Sequence, residues 1–286
     1  MKLDPKKCDS EPRNALPWMR VAALASLAFA ALCSSSQASA EESRRNVDLK
    51  LVIAVDVSRS MTKNEQRVQR QGYVNALLDP DIMTAIKSGA RGRIAIAYLE
   101  WANPDYQRVL VPWKVIDRPE DAVAFADALD AQPTVSEGGT SISAGLLQAM
   151  ILLDETNDIQ SDRQTIDVSG DGPNNAGPSV VAVRDALVAR GVTINGLAIS
   201  ILAPDQQVMF DSPSPRFVED YYQGCVIGGP NNFVISVVDV KEFTEAILRK
   251  MLTEIAGTPL QLQLAAYRVP YPPITDCGSW GEHVGR

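Results

Sequence analysis

Seven consecutive residues constrain this chain most: Leu49-Lys50-Leu51-Val52-Ile53-Ala54-Val55, apolar on both parities apart from Lys50 and running straight into Asp56. A half-exposed strand alternates apolar and polar residues. A run that is apolar on both parities, partly β-branched and only seven long suits a strand buried on both faces. Strands of that kind belong to parallel sheets with helices packed on either side.

The rest of the chain fits such a sheet. Residues 63–78 read as an amphipathic helix with apolar points at Val68, Tyr73, Val74, Leu77 and Leu78, broken at Asp79-Pro80, with a second helical piece over 82–87. Residues 93–101 read as another central strand. Residues 107–116 place Val109, Val111, Trp113 and Val115 on one parity, and Pro112 marks an edge strand because proline cannot donate to a ladder. A helix over 117–130 carries Pro119 in its first turn. A Gly138-Gly139-Thr140 loop leads into a helix over 141–154, with Leu146, Leu147, Met150 and Ile151 expected inward. Strands at 163–169, 192–199 and 233–238 alternate with helices at 178–190, closed by Gly191, and 239–255. The order predicts an α/β fold: a mostly parallel sheet, one antiparallel edge strand and helices on both faces.

The first forty residues differ in kind. Lys2, Lys6, Lys7, Arg13 and Arg20 precede an uncharged run from Val21 to Leu32, and a small-residue stretch ends Ala38-Ser39-Ala40. That order predicts a secretory signal peptide over residues 1–40, cleaved near Ala40, and hence a periplasmic or secreted protein. The run is short of the roughly 20 residues of a membrane span, so no span is expected once the leader is removed; a retained anchor is the alternative. Leu32 before Cys33 argues against lipidation, which wants a small residue there. The globular domain is expected over 47–256, and a proline-rich tail over 257–286 lies on the surface or is disordered.

Of 27 Lys/Arg and 35 Asp/Glu, five and three fall in the leader, leaving 22 against 32. The excess of acid and the lack of a basic cluster argue against nucleic acid as a partner. Beyond the leader only Cys225 and Cys277 remain; an oxidising compartment permits a disulfide between them, and two free thiols are equally compatible.

Ligands of a parallel sheet bind beyond the carboxyl ends of its strands. The first strand delivers Asp56-Val57-Ser58-Arg59-Ser60 there, the 163–169 strand delivers Gly170-Asp171-Gly172, and the loop between delivers Gly138-Gly139-Thr140-Ser141. Asp56, Ser58, Ser60, Thr140 and Asp171 are all hard oxygen donors, with no His or Cys among them. Such a set suits Mg²⁺, with Mn²⁺ or Ca²⁺ as alternatives, rather than Zn²⁺. Two carboxylates and neutral hydroxyls leave a coordination position for a carboxylate from a partner. Asp-x-Ser-x-Ser alone is short enough to arise by chance; three segments, each ending the proper element, are far more specific. The alternative reading makes Asp56, Asp171, Thr140 and Ser141 simple caps of turns and helices.

These residues, in this order, resemble the metal-ion-dependent adhesion site of von Willebrand factor type A (VWA) domains, over roughly residues 47–256. Asp-Val-Ser-Gly-Asp-Gly at 167–172, with the exported architecture, further resembles an uncharacterised bacterial family of type-A-like proteins. The resemblance implies a Rossmann-like sheet with the ion at its top. Ser58, Ser60 and Thr140 would offer hydroxyls, Asp56 and Asp171 would bind directly or through water, and an acidic side chain of a partner protein would complete the shell. The segment Gly172-Pro173-Asn174-Asn175 departs from the family and makes a stiff turn at the rim.

Neighbouring residues admit two readings each. Asp167 is expected to be a buried, paired carboxylate, or else to support the metal site. Glu100 is expected to hydrogen-bond a metal-bound water or to be solvated. Trp101, Tyr221 and Tyr222 are expected either to form a partner-contacting rim or, for the tyrosines, to pack their own loop. The function expected is therefore a protein-binding module and not an enzyme. A metal-dependent hydrolase is the first alternative, with Glu100 the one candidate base because the only histidine is His283 in the tail. A metal-free structural subunit is the second.

Overall fold

The computed structural model describes residues 46–155, 158–201, 216–257 and 277–278. The predicted leader and all of the tail except Gly257, Cys277 and Gly278 lie outside the described residues.

A six-stranded sheet runs through the middle, in the order β4-β3-β2-β6-β7-β8. Its strands are β2 (Lys50–Asp56), β3 (Ile94–Trp101), β4 (Gln107–Ile116), β6 (Gln164–Gly170), β7 (Thr193–Ile199) and β8 (Val234–Val237). Only the β3–β4 pair is antiparallel; every other pair is parallel. A separate two-residue parallel pair joins β1 (Asn46–Val47) to β5 (Gln160–Ser161). The predicted fold class, a mostly parallel sheet with one antiparallel edge strand and helices on both faces, is the one observed.

β2 lies at the centre, buried along its whole length. Its odd residues Leu51, Ile53 and Val55, with Leu49 just before it, lie in a core with α1 (Lys63–Leu78), α2 (Pro80–Lys87), α3 (Pro119–Asp130) and α7 (Phe243–Ala256). Its even residues Val52 and Ala54 point into the opposite core, closed by α4 (Ile142–Glu155), α5 (Val180–Val188), α6 (Phe217–Tyr221) and a π-helical turn at Tyr222–Val226. The unbroken apolar run is therefore the sequence trace of a strand with a helical layer on each side.

Local signals place the helices. Thr62 and Glu65 cap α1 reciprocally: Glu65 N–H donates to the Thr62 hydroxyl, and Thr62 N–H to the Glu65 carboxylate. Asp79 caps α2, with Pro80 at its first position. Gly257, at φ +73°, ends α7 in a left-handed conformation that other residues take only at a cost. No helix among the described residues is long and apolar enough to cross a membrane.

Three inward faces differ from the expected ones. In α1, Leu78 is 48% exposed whereas Gln66, Gln69 and Arg70 are buried, because the helix covers the polar upper end of the sheet as well as its core. In α4, Ile151 is 43% exposed and Met150 half-buried; the inward stripe runs through Ile142, Leu146, Ala149 and Leu153, about a third of a turn away. In β4 the expected single parity is broken by two register shifts opposite Ile96–Leu99. The shifts turn Val111 to one core while Val109 and Trp113 pack against the other, and exposed Pro112 sits within the irregularity.

Candidate metal centre at the top of the sheet

β2 and β6 are neighbours with Val55 opposite Ser169, so their ends release Asp56 and Asp171 at the same edge. The chain leaving β2 turns back on itself: Ser58 N–H donates to Asp56 Oδ1 at 2.7 Å. The Ser58 and Ser60 hydroxyls lie 2.8 Å apart, and Ser60 Oγ donates to Asp171 Oδ1 at 2.7 Å. Asp56, Ser58, Ser60 and Asp171 thus form one continuous polar cluster, as expected from sequence.

Thr140 is brought to the same edge by backbone. Glu137 N–H donates to Val57 O at 3.0 Å, and Ser141 N–H to Ala102 O at 2.6 Å, just past the β3 residue paired with Asp56. The turn after Asp171 then clamps the Thr140 loop. Asn175 N–H donates to Thr140 O, and Thr140 N–H donates to Asn175 Oδ1, both at 2.9 Å. Asn174 Oδ1 accepts from Ser143 N–H at 3.0 Å. The rim turn that departs from the family therefore ties the loop after Asp171 to the loop that carries Thr140. Asn174 and Asn175 had no assigned role in the sequence reading; two adjacent Asn after Gly-Pro, in a turn where amide side chains satisfy local backbone, were the available signal.

The electrostatics are unusual. Asp56 is fully buried, and its Oδ2 has no hydrogen-bond partner. Burial, and then the charge of Asp171, push the Asp56 carboxyl far above its ordinary range. Burial likewise pushes Asp171 up to about 6, against the pull of the Ser60 hydrogen bond. Among the described residues no Lys or Arg pairs with either carboxylate. Nor do three Asp, Glu, His or Cys side chains gather at any one point among them, so a cation here would depend on the hydroxyls as well as the carboxylates. An orphaned buried carboxylate oxygen, a second carboxylate raising its pKa and an all-oxygen donor set fit a hard divalent cation, which would offset both desolvation and repulsion.

The surrounding residues correct some of the other expectations and bear out the buried, paired reading of Asp167. Glu100 is neither solvated nor turned to the cluster: it is buried and ion-paired with Arg70, whose guanidinium also donates to Gln132 O and Pro133 O. The base that a hydrolytic reading required is thus tied up inside the protein. Trp101 is wholly buried, with Gly145 of α4 against its ring; a Cβ at Gly145 would sit 2.7 Å from the indole. Tyr221 and Tyr222 are also wholly buried and form no rim. Tyr221 ends α6 and Tyr222 opens the π-helical turn, whose Cys225 is disulfide-bonded to Cys277. Asp167 is paired, with Lys250 Nζ 2.7 Å away and Tyr73 OH donating at 3.3 Å.

A parallel sheet carrying one antiparallel edge strand, with Asp-x-Ser-x-Ser at the end of its central strand, is a VWA-like fold. The fold is similar to that of the pilus adhesin SpaC from Lactobacillus rhamnosus GG in its open conformation, at TM-score 0.54 and 16% identity over 73% of this chain and 30% of that one. It is also similar to proximal thread matrix protein 1 from the mussel byssus, at TM-score 0.50 and 13% identity over 74% of this chain and 47% of that one. In both cases the match spans less than half of the other chain. No curated protein matches the chain in sequence. The chain belongs to the family described as Protein of unknown function (DUF1194), whose model matches residues 46–259.

Proposed function

We propose that this chain is an exported VWA-type protein-binding module whose divalent metal, Mg²⁺ by preference and Mn²⁺ or Ca²⁺ as alternatives, is held by Asp56, Ser58, Ser60, Thr140 and Asp171. The observation that carries the reading is the pairing of the fully buried Asp56 with the half-buried Asp171, without a cation from the protein. Holding two like charges together, one of them fully buried, is costly without compensation, and a bound cation removes the cost. Three hydroxyls and two carboxylates leave a divalent ion short of a full shell. An acidic side chain of a partner protein completes it. The metal supplies a fixed charge that recognises that side chain; the protein's part is to orient its five donors.

The domain is proposed over residues 47–256, preceded by a leader over 1–40 removed near Ala40 and followed by the tail over 257–286. A periplasmic or secreted setting agrees with the Cys225–Cys277 bond, since disulfides persist in oxidising compartments. Binding, not catalysis, is proposed because Glu100 is committed to Arg70.

Thermal unfolding with and without Mg²⁺ tests the metal. An ion that binds only the folded chain stabilises it by about 2.7 kcal/mol at one hundred times its Kd, which raises the Tm by several degrees. Asp56→Ala should abolish that rise. A wild-type Tm indifferent to Mg²⁺, Mn²⁺ and Ca²⁺ would leave the metal-free structural subunit as the reading. Recovery of partners from an envelope extract with and without chelator tests the bridge, and equal recovery in both would sink it.

A further inference from the structure

Tyr222 lies beside the carboxylate that the metal reading depends on, yet none of the five proposed ligands explains its position. It sits in the π-helical turn on the α4/α5 side of the sheet, the side to which the even residues of β2 point. Its ring crosses β7 at Gly196, where a Cβ would lie 2.7 Å from Cδ1. Its hydroxyl ends over β6 at Gly170, where a Cβ would lie 2.6 Å from the Tyr222 oxygen and 2.9 Å from Asp56 Oδ2. Any side chain at Gly196 or Gly170 would close this path. Two glycines on adjacent strands therefore make a channel through which a tyrosine reaches the metal cluster from beneath.

Both oxygens at the end of that channel are buried without a hydrogen-bond partner: Tyr222 Oη and Asp56 Oδ2. Both sit against the same Gly170 position, so they lie no more than about 5.5 Å apart, the span of one shared water. Unpaired buried donors and acceptors are rare because each costs the full desolvation of its group. A phenol donor facing an orphan carboxylate acceptor is the complementary arrangement. The ring cannot swing away. Tyr222 is wholly enclosed, and Cys225, one turn along, is anchored through its disulfide to Cys277.

We infer that Tyr222 is a positioning residue for the metal site: its hydroxyl, acting on Asp56 Oδ2, holds that carboxylate in the orientation that Ser58 N–H sets from the Oδ1 side. This rests on the metal reading proposed above. It assigns the π-helical turn and its disulfide a function, as the rigid mount that carries the donor.

The test is Mg²⁺ and Mn²⁺ titration, by calorimetry, of the wild-type protein and Tyr222→Phe, with the Tm of each recorded in chelator. The substitution keeps the ring and removes one buried oxygen, so folding is not at risk. The expected result is a metal-free Tm equal to or above that of wild type, with metal affinity lowered about tenfold or more, the scale of a lost hydrogen bond to a charged group. Equal affinity in the two proteins overturns the role of Tyr222 and leaves the metal site standing. A metal-free Tm that falls together with the affinity also overturns it, by making Tyr222 a packing residue. A wild type that binds neither ion removes the metal reading itself, and the inference with it.

Discussion

Two pairs of acidic side chains lie along the sheet, four residues apart on β6 and its following loop, and they are stabilised in opposite ways. Asp167 and Glu254 are buried with Lys250 between them, its Nζ 2.7 Å from Asp167 and 2.5 Å from Glu254. Asn195 donates to Glu254 at 3.0 Å and Tyr73 to Asp167. Asp56 and Asp171, at the top of the same sheet, have hydroxyls and a backbone N–H but no ammonium or guanidinium. The lower pair carries its own cation, and the upper pair has none from the protein among the described residues. The contrast separates a structural ion cluster from a candidate binding site on physical grounds that neither motif nor fold supplies.

The largest expected effect comes from breaking the lower pair. Lys250→Met should strand two carboxylates in the core and cost about 3–5 kcal/mol, read as a lower urea midpoint with or without Mg²⁺. Adding Asp167→Asn and Glu254→Gln should recover much of that loss. If Lys250→Met leaves the midpoint unchanged, the cluster is not the closed unit described.

Asp56→Asn should act in the reverse sense at the upper pair. Without metal it removes a buried, repelled carboxylate and should stabilise the fold by about 1 kcal/mol, while the Mg²⁺-dependent rise in Tm disappears. A destabilised metal-free Asp56→Asn would show that the carboxylate is already satisfied from within.

The pH dependence sharpens the same contrast. Asp171 holds its proton up to about 6, against an ordinary value of 3.8, so its ionised form weakens the metal-free fold. That penalty is complete above about pH 6 and fades as pH falls toward 3.8. Metal-free stability should therefore gain from this group on acidification, and Asp171→Asn should flatten that part of the profile. Metal affinity should move the other way, falling as protons compete below about pH 6. A Mg²⁺ affinity constant between about pH 7 and 5 would contradict Asp171 as a ligand.

The smallest effect belongs to exposed Ser60. Ser60→Ala should change metal-free stability by no more than about 1 kcal/mol while weakening Mg²⁺ binding, since its hydroxyl links Ser58 to Asp171. Unchanged Mg²⁺ binding would remove Ser60 from the ligand set.

Four of the five proposed ligands sit in the cluster where their strands deliver them, because strand ends and the turn residues after them are local properties that one sequence carries. The partners of Glu100, Trp101 and Tyr222 were not legible in the same way. Arg70 reaches Glu100 from a helix whose polar residues suggested a solvated face. Tyr222 is buried only because Gly170 and Gly196 leave its path open from two other strands. The inward stripe of α4 was misplaced for a related reason. A helix rich in Leu, Ile and Met on several sides has no single apolar face, and the strands beneath choose one. Asp167 was legible in kind, as a buried paired carboxylate, but not in partner, since Lys250 arrives from the last helix.

The Cys225–Cys277 bond closes a loop, at a sequence separation of 52, that contains β8, all of α7 and the tail as far as Cys277. Its consequence is one of connectivity. A single protease cut anywhere between those cysteines divides the polypeptide without dividing the molecule. The nicked protein should keep its mass on a non-reducing gel and separate into two fragments only after a thiol is added. In the periplasmic or secreted setting proposed above, that closed ring would hold the molecule together through a first cut.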